Sequence, residues 1–190
     1  MVLGITGRYC AGKTAVSEVL AGWGWCTVEV DSLGHQALIE KREAVLQRFG
    51  RELDDGAGGI DRKRLGRIVF RSRTARRYLE GILHPAMVAM ADEYLREWEG
   101  RNVALNAALL YPMGLAERCD RVVWVQAGFW PRFQRARRRD GIGLIEMLRR
   151  ERAQRRIGPQ FYRANVDIVT VKNRGERSLL ERRLRDIVNE

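Results

Sequence analysis

Residues 4–16 read GITGRYCAGKTAV, and four of them could do chemistry together. Gly7, Gly12, Lys13 and Thr14 stand at Gly-x4-Gly-Lys-Thr spacing, between an apolar run that predicts a strand and a segment of helical periodicity. That strand–loop–helix setting separates a phosphate-binding loop from a chance match. The glycines let the backbone turn its N–H groups inward around phosphates. A helix starting near Lys13 adds its positive amino end. Lys13 supplies a mobile cation for β- and γ-phosphates, and the Thr14 hydroxyl can ligand Mg2+. Lysine is scarce elsewhere, being confined to Lys41, Lys63 and Lys172. The predicted ligand is a nucleoside triphosphate with Mg2+, held by Gly7, Cys10, Ala11, Gly12, Lys13, Thr14 and Ala15.

The acceptor of a phosphoryl group needs a carboxylate near the loop. A GTPase would carry an Asn-Lys-x-Asp segment, and none is present. A motor ATPase would end an apolar strand in aspartate to hold Mg2+. The best such strand, NVALNA, ends at Asn106 and Ala107 without an acid. A small-metabolite kinase remains. Asp31 ends a second predicted strand, residues 26–30, expected beside the loop in a parallel sheet. There it could orient a hydroxyl and accept its proton, or hold Mg2+ through water. The competing reading of Asp31 is a cap on the helix that follows.

The elements that must position these residues alternate. Strands are predicted at 2–6, 26–30, 102–107, 121–127 and 166–171, and helices over Lys13 to Leu20, 33–49 and about 176–188. Between 61 and 98 the chain reads as helices, interrupted at Pro85. Continuous apolar strands alternating with helices predict a five-stranded parallel sheet between two helical layers, with the ligand beyond the carboxyl ends of the strands. The fold class is α/β, a three-layer α/β/α kinase. The domain plan is a core at 1–58, 100–135 and 164–190, a helical lobe at about 59–99, and an arginine-rich segment at about 136–163, which the family resemblance given below implies is a lid.

Composition bounds the rest. The 190 residues are 45% hydrophobic and 31% charged, which suits a single globular domain with a real core. No apolar run approaches a membrane span, and MVLGIT reads as a strand rather than a signal peptide, so a cytoplasmic protein is expected. Cys10, Cys26 and Cys119 are far apart, without a CxxC pair, and are read as free thiols. The formal charge of +11, carried almost wholly by arginine, points to an anionic partner. Nucleic acid is disfavoured, because no such motif is present and Trp23, Trp25, Trp98, Trp124 and Trp130 do not interleave with a basic platform. They are read as packing residues.

Taken in order, the segments resemble the dephospho-CoA kinase family along essentially the whole chain. GITGRYCAGKTAVSEVLAGWG is similar to its opening loop and helix, and VEVDSLGHQAL to its second-strand motif. IDRKRLGRIVF resembles the segment before its helical lobe, and LEGILHPAM its His-Pro segment, with His84 before Pro85. RRRDGIG resembles the start of its lid, and VKNRGERSLLERRL its closing Asn-x-Gly and last helix. The resemblance implies transfer of the ATP γ-phosphoryl to the ribose 3′-hydroxyl of dephospho-CoA, with ATP and dephospho-CoA as partners, no membrane, and a monomer as the favoured state. Lys13, Asp31 and Arg139 would be catalytic, with Arg135 near the nucleotide. Asp31, His35, Arg62 and His84 would meet the acceptor, and Mg2+ would lie on Thr14 and, through water, on Asp31. The alternatives are a kinase for another small acceptor, such as a nucleoside or nucleotide, or a degenerate nucleotide- or CoA-binding protein.

The chain departs from the family pattern at several points. Arg8 replaces a usual loop glycine and Glu29 the first of two aspartates. His35 stands at a usual arginine, and Asn106, Ala108 and Pro112 replace a common Asp, Pro and Glu. These departures are expected around the acceptor rather than around ATP, with Arg8 reaching a phosphate or the acceptor.

Overall fold

The computed structural model describes residues 1–155, 157–159 and 166–189. Its strands are β1 (Val2–Gly7), β2 (Cys26–Glu29), β3 (Val103–Asn106), β4 (Arg121–Gln126) and β5 (Asp167–Lys172). Among the described residues the helices are α1 (Lys13–Gly22), α2 (Val30–Glu40), α3 (Arg42–Phe49), α4 (Arg62–Arg71), α5 (Arg73–Glu97), α6 (Phe129–Asp140), α7 (Leu144–Ala153) and α8 (Arg177–Asn189). None of these helices is long and apolar enough to cross a membrane.

The sheet order is β2-β3-β1-β4-β5. β1 runs parallel to β3 and β4, and β4 parallel to β5. Every residue of β3 is buried, whereas β2 buries only Val28. A strand buried on both faces belongs inside a parallel sheet, and a weakly buried one at its edge. β3 therefore stands between β1 and β2. The expectation that β2 lies beside the loop-bearing strand is corrected.

The chain forms two compact units, Met1–Val28 with Trp98–Glu190, and Glu29–Glu97. In the first, α1 and α8 cover one face of the sheet. Val16, Val19 and Leu20 of α1 and Leu180, Leu184 and Ile187 of α8 pack with Leu3, Ile5, Val123, Val125 and Val171. Burying each such side chain stabilises by about 1.5–3 kcal/mol. On the other face the chain after β3 presses on the β1 backbone. A Cβ at Gly4 would lie 2.7 Å from Leu110 Cδ2 and 2.9 Å from Cys119 Sγ. After β4 the arginine-rich segment folds as α6 and α7, and Gly141 (φ 66) turns the chain between them.

The second unit is helical, with its own core of Leu38, Val45, Leu46, Leu53, Ile60 and Leu65. Asp61 caps α4 by accepting from the Arg64 amide. Three local expectations are corrected here. Val30 opens α2 rather than ending β2, and the helix foreseen over 33–49 divides at Lys41 into α2 and α3. α5 runs unbroken through Pro85. A proline removes the hydrogen bond to the carbonyl four residues earlier. That residue is Gly81, exposed like Pro85, so water can take up the carbonyl. In the first unit, Trp25 and Trp124 are buried, but Trp130 is 63% exposed. Trp130 meets Phe129 and Phe133 edge-on on the solvent side of α6. Cys10, Cys26 and Cys119 are free thiols.

Candidate active site

The loop after β1 is shaped by close backbone approaches. A Cβ at Gly7 would lie 2.5 Å from the Val125 carbonyl oxygen, so β1 must end in glycine against β4. Gly12 has φ 100 and caps α1, and a Cβ there would lie 2.0 Å from Asn173 Nδ2. Among the described residues, Cys10 is the non-glycine residue of positive φ, at 56°.

The loop's carbonyls are held from outside. The Ala11 amide donates to the Arg8 carbonyl at 3.0 Å. Arg132 Nη1 donates to the Tyr9 carbonyl at 3.4 Å. Arg135 Nη1 reaches the Cys10 and Ala11 carbonyls at 3.4 and 3.1 Å, and Asn173 Nδ2 reaches the Ala11 carbonyl at 3.0 Å. In a planar trans peptide the N–H points opposite to the C=O, so the outward Tyr9 and Ala11 carbonyls aim the Cys10 and Gly12 amides inward, while the Ala11 amide is taken up by the Arg8 carbonyl. Gly12, the residue that caps α1, has no side chain to take up the first-turn amides. Its first-turn amides and the positive end of the helix are thus placed to receive an anion.

A cavity of about 420 Å3 opens on this loop, lined by Cys10, Gly12, Lys13, Thr14, Arg135, Arg138 and Arg139. Four of these side chains are cationic and none is a carboxylate, which suits a polyphosphate. Thr14 lies in the first turn of α1 and lines the same cavity as Lys13, a place from which its hydroxyl could ligand Mg2+ next to phosphates.

Around the rim, Arg139 donates through Nε and Nη2 to Asp140, at 3.0 and 2.9 Å. The Tyr9 hydroxyl donates to the same carboxylate. These bonds, Arg139's first, hold the Asp140 carboxyl down to about 2. Burial, and then the bond to Asp140, push the Tyr9 phenol up to about 12. The guanidiniums of Arg139 and Arg150 sit 5.4 and 4.4 Å from the Tyr9 ring centroid. At the end of β3, Asn106 Nδ2 donates to Ser17 Oγ of α1 at 3.1 Å, both residues buried.

The remaining sequence candidates lie in the second unit. Asp31 does not end a strand. It is exposed in the first turn of α2, where the helix end favours a negative charge. His35, also exposed, follows four residues later on the same helix face. Arg62 opens α4 and is exposed. His84 is half-buried in α5, and burial draws its pKa below the ordinary value while Glu80 partly opposes this.

Arg8 differs from expectation. Its guanidinium runs to Glu151 and to the Ile157 carbonyl of the same unit, not toward a cavity of phosphates. Sequence reasoning also missed Asn173, Tyr9, Arg132 and Glu151 as residues that shape the loop. Two signals were present. Asn173 begins the Asn-x-Gly segment, in which its Oδ1 accepts from the Gly175 amide at 3.0 Å. Glu151 is the acid inside the basic run LRRERAQRR.

A family model described as dephospho-CoA kinase matches residues 1–177. A dephospho-CoA kinase of Geobacter metallireducens is 34% identical over 190 residues, covering 97% of this chain and 93% of that protein. For the dephospho-CoA kinase of Borreliella burgdorferi the identity is 30% over 128 residues, which span 67% of this chain and 62% of that protein. A crystal structure of a Thermus thermophilus protein superimposes with a TM-score of 0.82 at 30% identity, covering 100% of this chain and 96% of that one.

Proposed function

The chain belongs to the dephospho-CoA kinase family, and on that premise we propose how its own residues carry out the ATP-dependent phosphorylation of dephospho-CoA that completes coenzyme A. The observation that carries the reading is the cationic cavity on the Gly-Lys-Thr loop.

The β- and γ-phosphates of ATP lie against the inward amides of the loop, with Lys13 as their mobile cation. Thr14, through its hydroxyl, and Asp31, through water, would hold Mg2+, which would neutralise phosphate charge when bound. Arg135 keeps the loop in shape from outside and faces the same cavity. Arg139 supplies positive charge to the transferring group, whose transition state spreads charge over its oxygens. Asp31 orients the ribose 3′-hydroxyl of dephospho-CoA and accepts its proton. His35, Arg62 and His84 belong to the acceptor side, His84 as a neutral hydrogen-bonding group rather than an acid. The helical lobe of about 59–99 holds the acceptor, and the lid of about 136–163 covers the nucleotide. Residues 156 and 160–163 of that lid lie outside the described residues. The reaction is placed in the cytoplasm.

The test is a coupled assay with ATP, Mg2+ and dephospho-CoA, run beside a panel of nucleosides and nucleotides as acceptors. Turnover is expected with dephospho-CoA, and Lys13→Ala should lower kcat at least about 100-fold while leaving the fold intact. Folded protein that binds ATP yet turns over only another acceptor, or none, would defeat the proposal.

A further inference from the structure

The contacts that tie α7 to the phosphate loop converge on two loop residues. Glu151 of α7 stands between two guanidiniums. One of its oxygens accepts from Arg8 Nη1 at 2.6 Å and the other from Arg132 Nη2 at 2.5 Å. Arg8 Nε continues to the Ile157 carbonyl at 3.2 Å. Arg132 continues to the Ala127 carbonyl at 3.2 Å and the Tyr9 carbonyl at 3.4 Å. Just past α7, Gln154 Oε1 accepts from the Tyr9 amide at 2.9 Å. Arg150 of α7 lies over the Tyr9 ring. Thus α7 and the turn that follows it grip Arg8 through its side chain and Tyr9 through its amide and ring, while Arg132 of α6, bonded to Glu151, holds the Tyr9 carbonyl.

The chemistry of the grip is charge-dependent. The Arg132 side chain is only 4% exposed, and those of Arg8 and Glu151 are 30% and 27% exposed. A nearly buried guanidinium needs a carboxylate or a full set of acceptors. Glu151 supplies the carboxylate and shares it with Arg8. Without it, two guanidiniums would face one another unneutralised beside the loop, and Arg132 would lose the partner that aims its Nη1 at the Tyr9 carbonyl. Arg8 stands where a loop glycine is usual, yet it has no positive φ that would demand glycine. Its side chain, not its backbone, is what this position contributes.

We infer that Glu151 is a positioning residue: it clasps α7 to Arg8 and, through Arg132, holds the Tyr9 peptide outward, and so sets how tightly and how long the loop keeps its nucleotide. The inference rests on the reading that this loop holds ATP. Glu151 does not touch the phosphates. It acts through the loop geometry, so its loss should weaken ATP and ADP alike and affect the chemical step much less.

The test compares wild type with E151Q, E151D, R8A and the R8A/E151Q double variant. The readouts are release of a fluorescent N-methylanthraniloyl ADP in stopped flow, KM for ATP, kcat, and amide exchange along α7. E151Q and R8A should each release the ADP analogue and raise KM for ATP by about tenfold, with kcat falling no more than about threefold. The double variant should be no worse than E151Q, because both substitutions break one clasp. E151D, which keeps the charge one methylene short, should recover part of the loss, and α7 amides should exchange faster in E151Q. Wild-type release and KM in both single variants would overturn the inference, as would losses that multiply in the double variant. Wild-type protein that binds neither ATP nor the ADP analogue would overturn instead the reading of the loop beneath it.

Discussion

The side-chain amide of Asn173 donates to the Ala11 carbonyl across 3.0 Å, joining the turn after β5 to the phosphate loop. The same side chain stands where a Cβ on Gly12 would have to go, and its Oδ1 accepts from Arg135 Nη2 at 3.3 Å. One buried amide therefore meets the loop, the residue that caps α1 and an arginine of the cavity wall.

Replacing Asn173 by alanine removes these bonds and should cost about 1–3 kcal/mol of stability. Thermal unfolding measures the loss, and KM for ATP should rise with it. Asn173→Asp keeps the shape but sets a negative charge against the Ala11 carbonyl and near the phosphates. ATP binding should fall further in that variant than in alanine. Equal binding in the two would show that the charge beside the loop does not matter.

Asp31→Asn keeps the size of the proposed base and removes its basicity. We expect kcat to fall by about 10²–10⁴-fold with KM for ATP little changed. Steady-state kinetics with each substrate varied separates the two effects. A kcat within a few fold of wild type would reassign the base.

Tyr9 should ionise above the ordinary tyrosine range. With its phenol pushed from 10.0 to about 12, the unfolded chain loses this proton first as pH rises. The stability contributed by neutral Tyr9 is complete below pH 10 and is lost on the way to about 12. Asp140 works at the other end: its carboxyl, lowered from 3.8 to about 2, contributes above pH 3.8 and is lost as pH falls through about 2. Ultraviolet titration of wild type minus Tyr9→Phe should show a single phenol with a midpoint near 12. A midpoint near 10 would mean that neither the burial of Tyr9 nor its contact with Asp140 persists in solution.

His84 carries the opposite sign. Burial lowers its pKa below the ordinary 6.5, so below that pH the unfolded chain binds a proton that the folded chain declines. Stability should fall as pH drops from 6.5 through the folded value. Nuclear magnetic resonance titration, with His35 as the chain's other histidine, should place the His84 midpoint below 6.5. His84→Gln should lose less stability in acid than wild type, and an unchanged acid profile would refute this.

Much of the site is legible in sequence because its chemistry is local. Gly7, Gly12, Lys13 and Thr14 lie within one short stretch, so spacing alone reports the loop. The apolar runs of β1, β3 and β4 are legible because both faces of each are buried. Pro85 and Lys41 were misread for a related reason. Local propensity says that a proline stops a helix and that an amphipathic run continues. Solvent at Gly81 and the packing of α2 and α3 in the unit core decided otherwise. Asp31 was read as a strand end because β2 and α2 join without a break in polarity.

The sequence by itself determined that the chain forms an α/β phosphate-binding kinase, since the loop motif and the buried strands depend on neighbours a few residues away. Only the tertiary structure decided the strand order and what holds the loop in shape. Asn173 and Ala11 are 162 residues apart, and Arg8 and Glu151 are 143 apart. Their partnership depends on where β1, β5 and α7 come to lie, which the pairing of buried strands and the neutralisation of nearly buried arginines settle together. Arg8 looked like a residue reaching for a phosphate or an acceptor. In the fold its charge is taken up by Glu151, because a carboxylate shared with a buried guanidinium lies within its reach.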